Sequence, residues 1–246
     1  MNFALVTGTS TGIGAAVAAR LLDRGWRVVG VARRPGAIAH SRYTHLAVDL
    51  GEVDSLKLIE DEIASILRNE SVLRVGLVNN AAAPGPLARI EDVSPNDLLQ
   101  LCAVNIVAPF SLMGIVVRQA PPDAAVRIVN VSSGAAVAAY PGLGPYSASK
   151  AALRMAGMVL AAELESPKRE RPRSEIAILS YEPGAVDTDM QVYARSLGRD
   201  AFPWVDMFYA FVERHMLVPP AAPAAEIAKF LDSDGNPVFS EARFRR

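Results

Sequence analysis

Short runs of β-branched and other apolar residues alternate along the chain with longer stretches whose apolar positions recur at helical spacing. The short runs are FALV at 3–6, RVVGVA at 27–32, HLAV at 45–48, VGLV at 75–78, VRIVNV at 126–131 and IAILS at 176–180. The longer stretches predict helices over 14–24, 54–68, 95–119, 146–165 and 222–231, the last with Pro223 near its start, where a missing N–H is tolerated. Strands apolar on both faces need cover above and below, so the alternation predicts an α/β fold with a doubly wound parallel sheet. PVF at 237–239 reads as a last strand, for about seven strands in all with helices on both faces.

Composition narrows the class. A chain of 246 residues with 51% hydrophobic content can form one large core, and neither a repeat nor a linker interrupts it, so residues 1–246 are expected to make a single domain. The net charge is −1 and like charges cluster only briefly, as in the terminal RFRR, which argues against nucleic acid or a membrane surface as partner. A single cysteine, Cys102, allows no intrachain disulfide and suits a cytoplasmic setting. Neither a signal peptide nor an apolar span of membrane length is expected. His40, His45 and His215 lack metal-ligand spacing, so no metal is expected.

Directly after the first apolar run comes TGTSTGIG at 7–14, and a helical pattern follows at once. Glycines let a backbone turn tightly and approach a pyrophosphate, while the helix start supplies unpaired N–H groups and a positive dipole end. Strand, loop and helix stand in the order of a dinucleotide site, with glycines spaced more widely than in G-x-G-x-x-G. Gly8, Ser10, Thr11, Gly12, Ile13 and Gly14 are therefore candidate cofactor contacts. About 20 residues further on, such a sheet places the group that reads the adenosine ribose. Here the second run ends in Arg33 and Arg34, with no carboxylate. Guanidinium matches phosphate in charge and bidentate geometry, which favours NADPH. Asp49, closing HLAVD, and Leu50 beside it are candidate adenine contacts.

The segment GPYSASKAAL at 144–153 sets Tyr146 and Lys150 one helical turn apart on one face. A nearby ammonium favours phenolate and lowers a phenol pKa that is otherwise about 10. The pair is a candidate proton donor with its tuning cation, or two residues on a solvated helix face.

With these pieces together, the chain resembles the short-chain dehydrogenase/reductases over essentially its whole length. The matching motifs are TGTSTGIG at 7–14, VNNAA at 78–82, VNIVAPF at 104–110, IVNVSSG at 128–134, YSASK at 146–150 and EPGAVDT at 182–188; Ala82 departs from the family's usual Gly. The resemblance implies a Rossmann-like sheet, carbonyl oxidoreductase chemistry, and a homodimer or homotetramer joined through the long helices near 95–119 and 146–165. It implies that Tyr146 gives a proton to the carbonyl oxygen as hydride reaches carbon, and that Lys150 tunes the phenol and holds the nicotinamide ribose. Ser133 would hydrogen-bond the developing alkoxide, with Ser132 as the alternative. Asn105 would hold a water linking Lys150 to solvent, Asn80 would support the cofactor, and Val186 and Thr188 would hold the nicotinamide amide.

The C-terminal third is similar to the sepiapterin reductases and the microbial benzil reductases, which reduce vicinal dicarbonyl compounds with NADPH. Sepiapterin reductases anchor the pterin with a C-terminal Asp; the matching position here is Phe239, with Glu241 near but out of register. An apolar, benzil-like vicinal diketone is therefore expected ahead of a pterin. Residues 187–220 are expected to form a substrate lid. Its Met190, Tyr193, Phe202, Trp204, Phe208, Tyr209 and Phe211 face either substrate or core, and Tyr140 and Leu143 are expected pocket walls. The alternatives are a reductase of another ketone class, an alcohol-oxidising enzyme, or a non-catalytic NADP-binding sensor or scaffold.

Overall fold

In the computed structural model, which describes residues 1–166 and 175–245, the expected alternation is realised. The elements run β1 (Asn2–Thr7), α1 (Gly12–Asp23), β2 (Arg27–Ala32), β3 (Tyr43–Ala47), α2 (Ser55–Asn69), β4 (Arg74–Asn79), α3 (Pro95–Cys102), α4 (Ala108–Gln119), β5 (Ala125–Val131), α5 (Gly144–Leu164), β6 (Ile176–Glu182), α6 (Asp189–Ser196), α7 (Val205–Glu213), α8 (Ala221–Asp232) and β7 (Phe239–Arg243). Seven strands pair in the order β3-β2-β1-β4-β5-β6-β7, all parallel. The strand order reverses between β1 and β4, and the crevice beyond the carboxyl ends there is the natural ligand site of such a sheet.

Both faces of the five inner strands are dry. Alternate residues of β1 show why: Phe3 and Leu5 join Ile59 and Ile63 of α2 and Leu112 and Val116 of α4, while Ala4 and Val6 join Val17 and Leu21 of α1 and Ile227 and Leu231 of α8. Two departures from the sequence reading have local causes. The stretch expected as one helix over 95–119 starts cleanly, Pro95 following Ser94, whose hydroxyl accepts from the Asp97 N–H at 3.1 Å. It then widens into a π turn at Ala103–Val107 before α4. Pro109 has no N–H to give the Asn105 carbonyl, which accounts for the break. The last strand starts at Phe239, where the sequence expectation ended; it pairs from Ile178↔Phe239 onward as a polar edge strand that no apolar pattern marks.

The run Pro95–Gln119 also corrects the expectation of no membrane-length apolar span: by length and composition it qualifies, with mean hydropathy 1.9 over its most apolar window. Half of that window is buried against the rest of the protein, and it contains the buried Asn105, as suits a core helix.

Candidate active site

Residues at the carboxyl ends of β1, β4, β5 and β6 open onto one cleft of about 950 Å³. On its floor is the glycine loop. Gly8 has φ +74°, a conformation that strains any side chain, and a Cβ on Gly14 would lie 2.2 Å from the Gly8 carbonyl oxygen, so the loop closes on the start of α1 only with glycine at both places. Gly8, Ser10, Thr11, Gly12 and Ile13 line the cleft; Gly14 serves from behind by permitting that contact. Asn80 backs the loop, its Nδ2 donating to the Thr7 carbonyl at 2.9 Å. Two residues that sequence reasoning passed over do the same work. The Thr7 hydroxyl oxygen accepts from the N–H groups of Asn80 and Ala81, each at 3.0 Å, and the Tyr43 hydroxyl donates to Thr9 Oγ1 at 3.0 Å. The loop, the N-terminus of α1 and the cleft's volume suit a nicotinamide dinucleotide, whose pyrophosphate Gly8 and Gly12 would hold.

Arg33, Arg34, Asp49 and Leu50 line the far end of the same cleft. Arg33 is 75% exposed, and its Nη1 lies 3.8 Å from Asp49 Oδ2, while Asp49 Oδ1 accepts from the Gly51 N–H at 2.9 Å. Two guanidiniums are thus free to meet an anion at that end, restrained only by a loose contact.

The reactive groups come from two elements. Ser133 follows β5 and caps a 3₁₀ turn at Gly134–Ala136, its Oγ accepting from the Ala135 N–H at 3.2 Å. Tyr146 and Lys150 stand on the first turns of α5, and all three, together with Ser132, line the cleft. The Lys150 ammonium donates to the Val131 carbonyl at 2.8 Å and lies 5.7 Å from the Tyr146 ring centre. Burial pushes the Tyr146 phenol up to about 12, with the Ser133 hydroxyl pulling it down in part. Burial pushes Lys150 down to about 8. The expected depression of the phenol by its lysine is not found: low-dielectric surroundings disfavour both charged forms, and the one group that lowers the phenol is Ser133. Asn105 is brought next to α5 without opening onto the cleft. Its amide exchanges two hydrogen bonds with the Ala83 backbone, at 2.8 and 2.9 Å, and donates to Ser149 Oγ at 3.1 Å.

The segment after β6 forms the roof. Val186 and Thr188 line the cleft, and Thr188 opens α6 against the glycine loop, its Cγ2 lying 3.3 Å from where a Cβ on Gly12 would be. The Thr11 hydroxyl donates to Asp189 Oδ2 at 3.2 Å across the same seam. The open question of the aromatic residues resolves both ways. Tyr140, Leu143, Met190, Tyr193, Trp204, Phe208 and Phe211 line the cleft. Phe202 is fully buried beneath them, and Tyr209 turns outward, its hydroxyl donating to the Arg195 carbonyl. Tyr140 meets Trp204 with ring centres 5.5 Å apart.

The closing strand does not do what its alignment suggested. Phe239 packs against Gly157 of α5, and Glu241 takes two hydrogen bonds from Arg154, at 2.5 and 2.8 Å; neither lines the cleft. Glu182, Arg243 and Phe244 line it instead. Glu182 was missed because it stands inside EPGAVDT, which read as a cofactor turn, and because its partner Arg243 is distant in sequence.

The family model for short chain dehydrogenases matches residues 2–197. A benzil reductase ((S)-benzoin forming) from Bacillus cereus is 29% identical over 245 residues, spanning 96% of each chain. A sepiapterin reductase from Mus musculus is 32% identical over 216 residues, 80% of this chain and 78% of that one. Among solved structures, a short chain dehydrogenase/reductase from Saccharomyces cerevisiae superposes with a TM-score of 0.81 at 26% identity, covering 98% of this chain and 96% of that one.

Proposed function

The chain belongs to the short-chain dehydrogenase family of nicotinamide-dependent oxidoreductases, and from that premise we propose that it reduces a carbonyl with NADPH, its substrate a vicinal diketone of the benzil kind or a sepiapterin-like compound. One observation carries this reading: Ser133, Tyr146 and Lys150 share a single cleft with the glycine loop, Arg33 and Arg34. When bound, NADPH supplies the hydride that the carbonyl carbon accepts. Tyr146 gives its proton to the carbonyl oxygen, Ser133 holds that oxygen by a hydrogen bond as negative charge grows on it, and the product is the hydroxy ketone. Lys150, one turn from Tyr146, supports the phenolate left behind and reaches the nicotinamide ribose. Asn80, Val186 and Thr188 hold the nicotinamide end, and Gly8, Ser10, Thr11, Gly12, Ile13, Gly14, Asp49 and Leu50 the rest of the cofactor. Asn105 is a positioning residue that ties the 81–83 segment to α5 through Ser149.

The diketone reading is supported by the aromatic wall of Tyr140, Trp204, Phe208 and Phe211 and by the names of the Bacillus relatives. The whole chain acts as one domain with residues 187–220 as its lid, in a cytoplasmic homodimer or homotetramer. Loss of NADPH absorbance with benzil, an alkyl-aryl diketone and sepiapterin tests the activity. Tyr146→Phe and Ser133→Ala should each lower kcat by about 100-fold or more, whereas Ser132→Ala should cost far less. Near-normal turnover by Tyr146→Phe would refute the mechanism, and NADPH binding without turnover of any carbonyl would leave a sensor.

A further inference from the structure

Glu182 closes β6 and is followed by Pro183. Its Oε1 lies 3.0 Å from where a Cβ on Gly134 would be, and the Tyr140 hydroxyl lies 3.8 Å from the same point. The carboxylate and the phenol therefore converge over the residue that directly follows Ser133, on the cleft wall. Gly134 leaves the room: any larger side chain there would press on the carboxylate. Glu182 Oε1 is 3.2 Å from Arg243 Nε, in a pair whose side chains are 22% and 72% exposed respectively. The Phe244 N–H donates to the Glu182 carbonyl at 2.8 Å, which fixes the end of β7 beside it. An ion pair whose cation is this exposed contributes little stability, so the pairing does not by itself account for a largely buried carboxylate against an aromatic wall. A carboxylate accepts hydrogen bonds only, and among the described residues one oxygen of Glu182 is left to do so.

We propose that Glu182 selects the substrate: its carboxylate accepts a hydrogen bond from an O–H or N–H group carried on the substrate close to the carbonyl that is reduced, with Arg243 setting the direction of the carboxylate. The inference rests on the carbonyl-reductase reading above and refines its substrate class, from apolar diketones to dicarbonyl compounds bearing a neutral donor. The acceptor that the closing strand lacks at Phe239 is supplied by the neighbouring strand β6. A donor-free diaryl diketone enters the same cleft but leaves the Glu182 carboxylate without its partner.

Matched pairs of ring-substituted benzils, hydroxy against methoxy at the ortho, meta and para positions, test this with two readouts: kcat/KM with NADPH, and binding followed by quenching of Trp204 fluorescence. For at least one ring position the hydroxy compound should exceed its methoxy partner about tenfold or more in both readouts, the scale of a hydrogen bond to a charged group. Glu182→Gln, of the same shape but uncharged, should bring that ratio toward one, mainly through KM. Arg243→Ala should reduce it by a smaller factor. Turnover of benzil with equal constants for every pair would overturn the inference and leave the reductase reading intact. So would a Glu182→Gln variant that loses activity on both members of each pair equally, because that is the signature of a strand-end lock. Binding that prefers the hydroxy compounds with no turnover of any diketone would uphold Glu182 and refute the reductase reading.

Discussion

Tyr146 and Lys150 illustrate how two neighbouring groups respond to one environment with opposite consequences. Burial keeps the phenol protonated, pushed up to about 12, and makes the ammonium give up its proton near 8. For reduction the phenol must arrive protonated, and it does so at any ordinary pH. The alkaline limit then belongs to Lys150, because a neutral amine no longer supports the phenolate formed as the proton leaves. Rising pH should therefore leave the reductive kcat flat up to about neutrality and lower it through about 8, as an apparent value of the coupled pair. In Lys150→Met, whose residual rate is lower throughout, this limb should vanish. A wild-type rate that climbs steadily between those values and strongly alkaline pH would contradict the assignment. Most of the candidate site could be read from the chain because its residues sit in contiguous motifs whose spacing is itself the geometry, as with Tyr146 and Lys150 one turn apart. Glu182, Thr7 and Tyr43 could not, since each acts through a partner distant in sequence: Arg243, Asn80 and Thr9.

Among the elements, those with a strong period were legible and those fixed by tertiary contacts were not. RVVGVA was expected as a strand over 27–32 and is β2, because a strand dry on both faces must be apolar throughout. α6 and α7 carried no comparable signal; their apolar residues divide between the core below, as Val205 does, and the cleft, as Met190 and Phe208 do. The turn after β2 carries the test that belongs to this scale. Arg33 and Arg34 follow a buried strand whose end is fixed by pairing with both β1 and β3, so their backbone is positioned before any anion arrives. Each hydrogen bond from guanidinium to phosphate contributes about 1.5–3 kcal/mol. NADH, which lacks the 2′-phosphate, should accordingly show kcat/KM at least about tenfold below NADPH. Replacing both arginines with Ala should close that gap by raising KM for NADPH with little change for NADH. Equal use of the two cofactors by the unaltered protein would remove the basis for the NADPH assignment.

For the whole molecule, the question is what covers the outer side of the α3–α4 run and of α5. The run Pro95–Gln119 is apolar enough to leave a hydrophobic side outward after its other side has met the core. Leu99, Phe110, Met155 and Val159 are 48–68% exposed on these helices, and α5 contacts both α3 and α4, so the exposed residues lie on neighbouring surfaces. Apolar patches of this kind are uncommon on monomers and usual at subunit contacts. A second copy of the chain is the partner in the proposed homo-oligomer, and its symmetry sets the test. In a twofold contact every substitution enters twice, and a charge placed on the self-facing surface meets its own image. Burying a Phe contributes about 1.5–3 kcal/mol, so Phe110→Glu with Met155→Glu should weaken assembly by at least about 100-fold and shift sedimentation toward the monomer at micromolar concentration. α4 and α5 pack their other sides against the sheet, so circular dichroism should stay unchanged. The cleft of each subunit lies at the carboxyl ends of its own strands, and NADPH binding should therefore survive in the dissociated protein. Unaltered sedimentation of that double variant would move the contact to another face, and a wild-type chain that sediments as a monomer would end the proposal.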